Sequence, residues 1–206
     1  MPRPKSLQNA EIAGAALAIL DREGLAALSM RSVAEALGVG TMSLYRYVTD
    51  REHLERLVVE LVLQGLDLRL PAGLSWQRQA TLLLTRARAQ ARLHPAAIPL
   101  LLIHRQSSEQ STRWGEALLA ALSSAGFRGA KRVIAFRTLL SYLFGALQVD
   151  QLGPLSGPGT AQLAQLPPDA FPLLRATARD AQRIDALAEF ERGLEVILRG
   201  LTRSAK

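Results

Sequence analysis

Apolar residues recur at three- and four-residue spacing along almost the whole chain, which is the period of amphipathic α-helices. The first such stretch, about Asn9 to Glu23, places Ile12, Ala16, Ile19 and Leu20 on one stripe, with Gly24 suited to close the helix. Ser29 is the expected N-cap of a short second helix over Met30 to Leu37. Gly38-Val39-Gly40 then predicts a tight turn, followed by a third helix from about Thr41 to Tyr47. A fourth helix opens at Thr49-Asp50-Arg51-Glu52. Thr49 and Glu52 have capping-box spacing, and Leu54, Leu57, Val58 and Leu61 give its expected buried stripe.

Leu70-Pro71-Ala72-Gly73 interrupts the pattern. Ser75 begins a helix of about 18 residues that ends near His94-Pro95, and a short segment then reaches His104. Further helices are predicted over about Ser111 to Ser124 and Gly129 to Gln151. The second of these carries a broad apolar face of Val133, Phe136, Leu139, Leu140, Leu143, Phe144 and Leu147. Residues 152–168 are rich in Gly and Pro and predict a long flexible loop. A short helix from Ala170 to about Arg179 follows. The last runs from about Ile184 to Leu201 on a stripe of Leu187, Phe190, Leu194, Ile197, Leu198 and Leu201. No strand pattern, internal repeat or useful heptad occurs, so the expected class is all-α.

Composition narrows the chemistry. The chain has 206 residues, 49 % of them hydrophobic and only 5 % aromatic, with Ala and Leu carrying most of the apolar content. There is no cysteine, which excludes disulfides, thiolate metal sites and a Cys nucleophile. His53, His94 and His104 lack metal-ligand spacing, so no metal and no cofactor are expected. No apolar run approaches the roughly 20 residues of a membrane span. The N-terminal MPRPKSLQNAEIAG has no signal-peptide core, so a cytoplasmic protein is expected. The net charge of +7 suits an anionic partner. Most of the excess, however, lies beyond residue 51, where Arg residues among Ala and Leu read as solvated helix faces.

Residues 29–47 carry the most specific signal. Two short helices flank a Gly-containing turn, with apolar Val33, Leu37, Val39, Leu44 and Tyr47 and a small Ala34 where the helices approach. That is the pattern of a helix-turn-helix, in which the first helix braces and the second enters the DNA major groove. The outward residues suit that role. Thr41 and Ser43 can hydrogen-bond bases or phosphates, and Met42 can meet a thymine methyl. Arg46 can read guanine or grip a phosphate, and Tyr45 and Tyr47 offer hydroxyls. Met30 and Arg31 on the bracing side and Arg51 on the next helix complete the expected DNA-binding set. Arg3 and Lys5 form a short basic arm. The same pattern also suits an ordinary αα-hairpin with the tyrosines at its core edge.

Residues 9–66 resemble the DNA-binding domain of the tetracycline-repressor (TetR) family of bacterial transcription regulators. The resemblance rests on Ile12, Ala15-Ala16, Ile19-Leu20 and Gly24. It continues through Leu28-Ser29-Met30-Arg31-Ser32-Val33-Ala34, Leu37-Gly38-Val39, Ser43-Leu44-Tyr45-Arg46-Tyr47-Val48 and Asp50-Arg51-Glu52-His53-Leu54. Ser75-Trp76-Gln77, Leu93-His94-Pro95 and Phe190-Glu191-Arg192-Gly193-Leu194-Glu195 extend it toward the branch nearest the tetracycline repressor. Two departures are Tyr47, where many members carry His, and Gly40, which leaves that edge without a side chain.

The resemblance implies an N-terminal three-helix helix-turn-helix domain over 1–50, a connecting helix over 51–68 and an α-helical ligand-binding and dimerisation domain over 69–206. It implies a homodimer that binds a double-stranded, near-palindromic operator and is released by a small effector. His104 and Arg105 are then expected near the pocket mouth, with Trp114, Leu118, Phe136, Leu140 and Tyr142 lining the cavity. The family's founding member reaches drug-chelated Mg²⁺ through a His of its sixth helix. This chain has Pro99-Leu100-Leu101-Leu102 there, so a different, more hydrophobic effector is expected. A DNA-binding regulator without an effector is the alternative. An enzyme using His94 or His104 has little support, because no Ser/His/Asp order or phosphate loop occurs. A membrane-surface role has least.

Overall fold

The computed structural model describes residues 7–152 and 157–205. They form helices α1 (Asn9–Glu23), α2 (Met30–Ala36), α3 (Thr41–Leu44), α4 (Arg51–Leu63), α5 (Trp76–Arg92), α6 (Ile98–Ile103), α7 (Glu109–Ser124), α8 (Gly129–Gln151), α9 (Pro158–Leu163), α10 (Pro172–Ala181) and α11 (Ala186–Ala205). Short 3-10 turns occupy Leu25–Ala27 and Pro95–Ala97, and no strand occurs among the described residues. Two compact units result. One joins residues 1–69 with 86–117; the other joins 70–85 with 118–206. Packing therefore does not follow chain order, and α5 and α7 each contribute to both units.

In the first unit α1 packs against α4. Ile12, Ala16 and Leu20 of α1 and Leu54, Val58 and Val59 of α4 are fully buried or nearly so. Val62 and Leu63 continue the α4 stripe, while Leu57 and Leu61 are only half-buried. The stripe is thus rotated from the one the spacing predicts. α4 faces more than one neighbour, α1 on one side and α6 on another, and both take apolar surface.

Local chemistry sets the helix boundaries. The Ser29 hydroxyl accepts the Ser32 N–H at 3.0 Å, and the Ser32 hydroxyl accepts the Ser29 N–H at 3.0 Å, so α2 is capped reciprocally. α2 ends in a Schellman turn: Val39 N–H donates to Ala34 O and Gly38 N–H to Glu35 O. Gly38 sits at φ +65°, a conformation that costs little only for glycine. α4 is capped by Asp50, whose carboxylate accepts the His53 N–H at 2.7 Å, and not by the expected Thr49–Glu52 box. Asp50 is better placed because it directly precedes the first helical residue, and the Thr49 hydroxyl instead donates to Asp50.

In the second unit α8 pairs with α11 and α9 with α10. Tyr142 stacks on Phe190 with ring centres 5.1 Å apart, and its hydroxyl donates to the Phe190 carbonyl at 2.8 Å. A Cβ at Gly193 would meet the Tyr142 hydroxyl, so a larger residue there would force the Tyr142 ring to shift. Trp76 meets Phe127 edge to face at 5.3 Å. The expected loop over 152–168 is only partly a loop. α9 lies inside it, with Pro158 at the first helical position, where the missing N–H costs nothing; residues 153–156 lie outside the described residues.

α8 buries Ala135, Leu139, Leu143 and Leu147 on its inner face. Val133 and Ile134 are exposed, as are Leu187 and Val196 of α11. By length and composition alone α8 reaches the threshold for a membrane span, with a mean hydropathy of 1.3 over its most apolar window. Lys131, Arg132, Arg137 and Asp150 interrupt it, so it holds no unbroken apolar run of that length. Only 22 % of that window is buried within the chain.

Leu44 is fully buried, whereas Met42, two residues away, is 79 % exposed. Leu44→Ala is expected to cost about 2–5 kcal/mol in urea unfolding. Met42→Ala is expected to stay within about 0.5 kcal/mol of wild type. Equal losses would contradict this placement of α3.

Candidate nucleic-acid interface

α3 is only four residues long, shorter than the Thr41–Tyr47 helix that the spacing predicts. Beyond Leu44 the turn tightens. Arg46 N–H donates to Ser43 O and Tyr47 N–H to Leu44 O, bonds that close over three residues instead of four. Gly40 precedes the helix without a side-chain cap. Two anchors hold the segment from beneath, Leu44 and Val48, both fully buried. A helix this short does not persist alone in water, so its orientation is imposed by those two side chains and by the Gly38 turn.

Met42, Tyr45 and Arg46 stand exposed on the outer side of this segment. Thr41, Ser43 and Tyr47 are half-buried. Arg31 is exposed on α2 and, like Arg46, has no ion-pair partner among the described residues. Met30 is 8 % exposed and packs inward, which removes it from the residues available for a direct contact. It is the first residue of α2, and its side chain fills the core beside Val33 and Ala34. Arg3 and Lys5 lie outside the described residues.

Arg51 is half-exposed, and its position is constrained. Its Nε–H donates to Glu55 at 2.8 Å, and Nη2 reaches the Leu25 carbonyl at 3.4 Å. Sequence reasoning missed Glu55, whose other carboxylate oxygen lies 2.8 Å from His104 Nε2. Burial pushes the Glu55 carboxyl up, but the bonds from Arg51 and His104 more than offset this and hold it below its usual value. Spacing on α4 gives the Arg51–Glu55 pair; His104 is 49 residues further on, and no sequence signal links it. Glu60, also on α4, accepts from the Ser108 hydroxyl at 2.5 Å.

The expected effector residues divide between the two units. His104, Arg105 and Trp114 fall in the first; Leu118, Phe136, Leu140 and Tyr142 fall in the second. His104 is buried against Glu55. Arg105 is exposed and donates to the Leu102 carbonyl. Trp114 and Leu118 are buried, and Phe136, Leu140 and Tyr142 are half-buried. The described residues hold no cluster of three or more metal-ligating side chains.

A braced short helix with an exposed polar and cationic face, followed by helical units, defines a helix-turn-helix DNA-binding protein. Residues 12–55 match the family model of bacterial regulatory proteins of the tetR family, and residues 70–204 match the tetracyclin repressor-like C-terminal domain. The chain belongs to the TetR family of transcriptional regulators. An HTH-type transcriptional regulator of Saccharopolyspora erythraea is 26 % identical over 202 residues, 95 % of this chain and 84 % of that protein. Among solved structures, apo ActR of Streptomyces coelicolor superposes with a TM-score of 0.85 at 27 % identity, covering 98 % of both chains. ActR in complex with actinorhodin gives 0.82, also at 27 % identity, covering 96 % of both chains.

The Asp50 carboxyl is held below its ordinary value of 3.8, chiefly by the His53 N–H and further by the Thr49 hydroxyl. A depressed carboxyl stabilises the fold fully above its unfolded pKa, and that contribution is lost as pH falls through the folded value. The first turn of α4 is therefore expected to loosen only below pH 3.8. Carboxyl NMR titration checks the direction. Asp50→Asn, which keeps a good N-cap acceptor, should hold the turn and remove its acid dependence.

Proposed function

We propose that this regulator is a repressor that binds a near-palindromic operator as a homodimer and leaves it when a small, mostly apolar effector binds. The observation that carries the reading is the outward face of Met42, Tyr45 and Arg46, fixed from beneath by buried Leu44 and Val48. Arg46 reads a base edge, most naturally guanine O6 and N7, with Thr41, Met42 and Ser43 beside it. Arg31, Arg51, Tyr45 and Tyr47 hold phosphates and fix the register. Residues 1–50 read DNA, 51–68 connect, and 69–206 bind the effector and dimerise. The setting is the cytoplasm, where bacterial DNA lies.

Dimerisation is supported by α8. An apolar helix of 23 residues that buries only Ala135, Leu139, Leu143 and Leu147 fully and leaves Val133 and Ile134 exposed has apolar surface left for a second copy to cover. A second copy of the α8 and α11 pair supplies one with two-fold symmetry. The actinorhodin complex of ActR supports a small-molecule effector, and here Leu118, Phe136, Leu140 and Tyr142 supply apolar surface, the Tyr142 hydroxyl being engaged by the Phe190 carbonyl. Release is a population shift: the effector lowers operator affinity only by as much as it prefers the conformer that cannot bind DNA.

Selection from a random duplex library at physiological salt is expected to yield a near-palindrome with half-sites about one helical turn apart. Arg46→Ala should cost about 1–3 kcal/mol and relax one position per half-site. Arg31→Ala should weaken all sequences alike and flatten the salt dependence. Sequence-blind binding would overturn the reading. Failure of every apolar compound to release the selected DNA would favour a regulator without an effector.

Ile134→Asp should shift the protein toward monomer in sedimentation without unfolding it, because Ile134 is 62 % exposed in the single chain. An unchanged dimer would place the contact elsewhere.

A further inference from the structure

Glu55 is shared between two elements that are distant in sequence. Its Oε1 accepts from Arg51 Nε and its Oε2 from His104 Nε2, both at 2.8 Å. The three side chains run from surface to core: about half of Arg51 is exposed, 15 % of Glu55 and 6 % of His104. His104 also terminates α6, its N–H donating to the Leu100 carbonyl at 2.8 Å, and its carbonyl accepts from Ser107. Four residues on, the Ser108 hydroxyl accepts the Ser111 N–H at the start of α7 while donating to Glu60. The connection between α6 and α7 is thus tied to α4 by two carboxylates, and one of those carboxylates also holds Arg51.

We infer that Glu55 and His104 are positioning residues for Arg51, so that a displacement of the α6–α7 connection changes the grip of Arg51 on DNA. The inference rests on the reading of Arg51 as a phosphate contact. An exposed i,i+4 pair by itself contributes only a few tenths of a kcal/mol and would not fix a guanidinium. Here the acceptor is immobilised because its second oxygen is engaged in the interior. With His104 in place, Glu55 offers Arg51 one oxygen, and Nη2 stays on the Leu25 carbonyl. With His104 withdrawn, both oxygens become available, and the guanidinium closes on them as a two-pronged pair along α4. It then leaves Leu25 and loses the orientation in which it meets a phosphate.

The test is a double-mutant cycle on operator affinity with the full-length protein. His104→Ala is expected to weaken binding roughly fivefold when Arg51 is present and less than about twofold in the Arg51→Ala background. His104→Gln, which keeps an N–H donor, should restore most of the affinity. Equal losses in both backgrounds would make His104 a merely structural residue and overturn the inference. NMR of the Arg51 Nε–H in the DNA-free protein supplies a second readout. His104→Ala should shift this resonance and speed its exchange, and His104→Gln should not. An unmoved Nε–H overturns the inference even if DNA binding is normal. A moved Nε–H with Arg51→Ala binding the operator like wild type upholds the positioning and fails only the phosphate reading.

Discussion

A four-residue helix has no stability of its own, and the recognition surface of this protein depends on that constraint. Forming one isolated turn fixes several dihedrals for a single hydrogen bond, so α3 exists only because the rest of the unit imposes it. Leu44 and Val48 bury completely, and the Schellman turn through Gly38 delivers the chain at the required angle. α2 is the helix that α3 packs against. Met42, Tyr45 and Arg46 are then presented outward from a rigid base, which a longer and more self-sufficient helix would not need.

α4 contributes both apolar and polar contacts. Its buried side packs on α1, and its polar positions reach the α6–α7 connection through Glu55 and Glu60. The helix that follows the reading segment is therefore fastened to a second part of the chain by partly buried hydrogen bonds. Such bonds are directional and tolerate little displacement, unlike apolar packing, which can slide.

Much of the secondary structure was legible because helical periodicity is local. α1 and α8 begin and end where the pattern of apolar residues and flanking glycines places them. The discrepancies have local causes too. Pro158 at a first-turn position starts a helix inside a stretch whose Gly and Pro content reads as loop. Asp50 outcompetes Thr49 as a cap because it adjoins the helix directly. α3 ends early because its last turn tightens after Leu44. Met30, expected among the DNA-binding residues, is instead buried at the first position of α2.

By itself the sequence determined the all-α class, the helix-turn-helix with its buried Leu44 and outward Arg46, and the need for a glycine at position 38. These follow from short-range spacing and from residue chemistry that does not depend on distant neighbours. The tertiary structure decided what sequence spacing cannot carry. It brought His104 to Glu55, closed Tyr142 over Gly193, assigned 86–117 to the same unit as the N-terminal helices, and left Val133 and Ile134 uncovered. Each is a meeting of residues far apart in the chain, or a face whose cover depends on everything else around it. Which side of α8 finds a neighbour depends on how the helices pack against one another, and no local pattern encodes it.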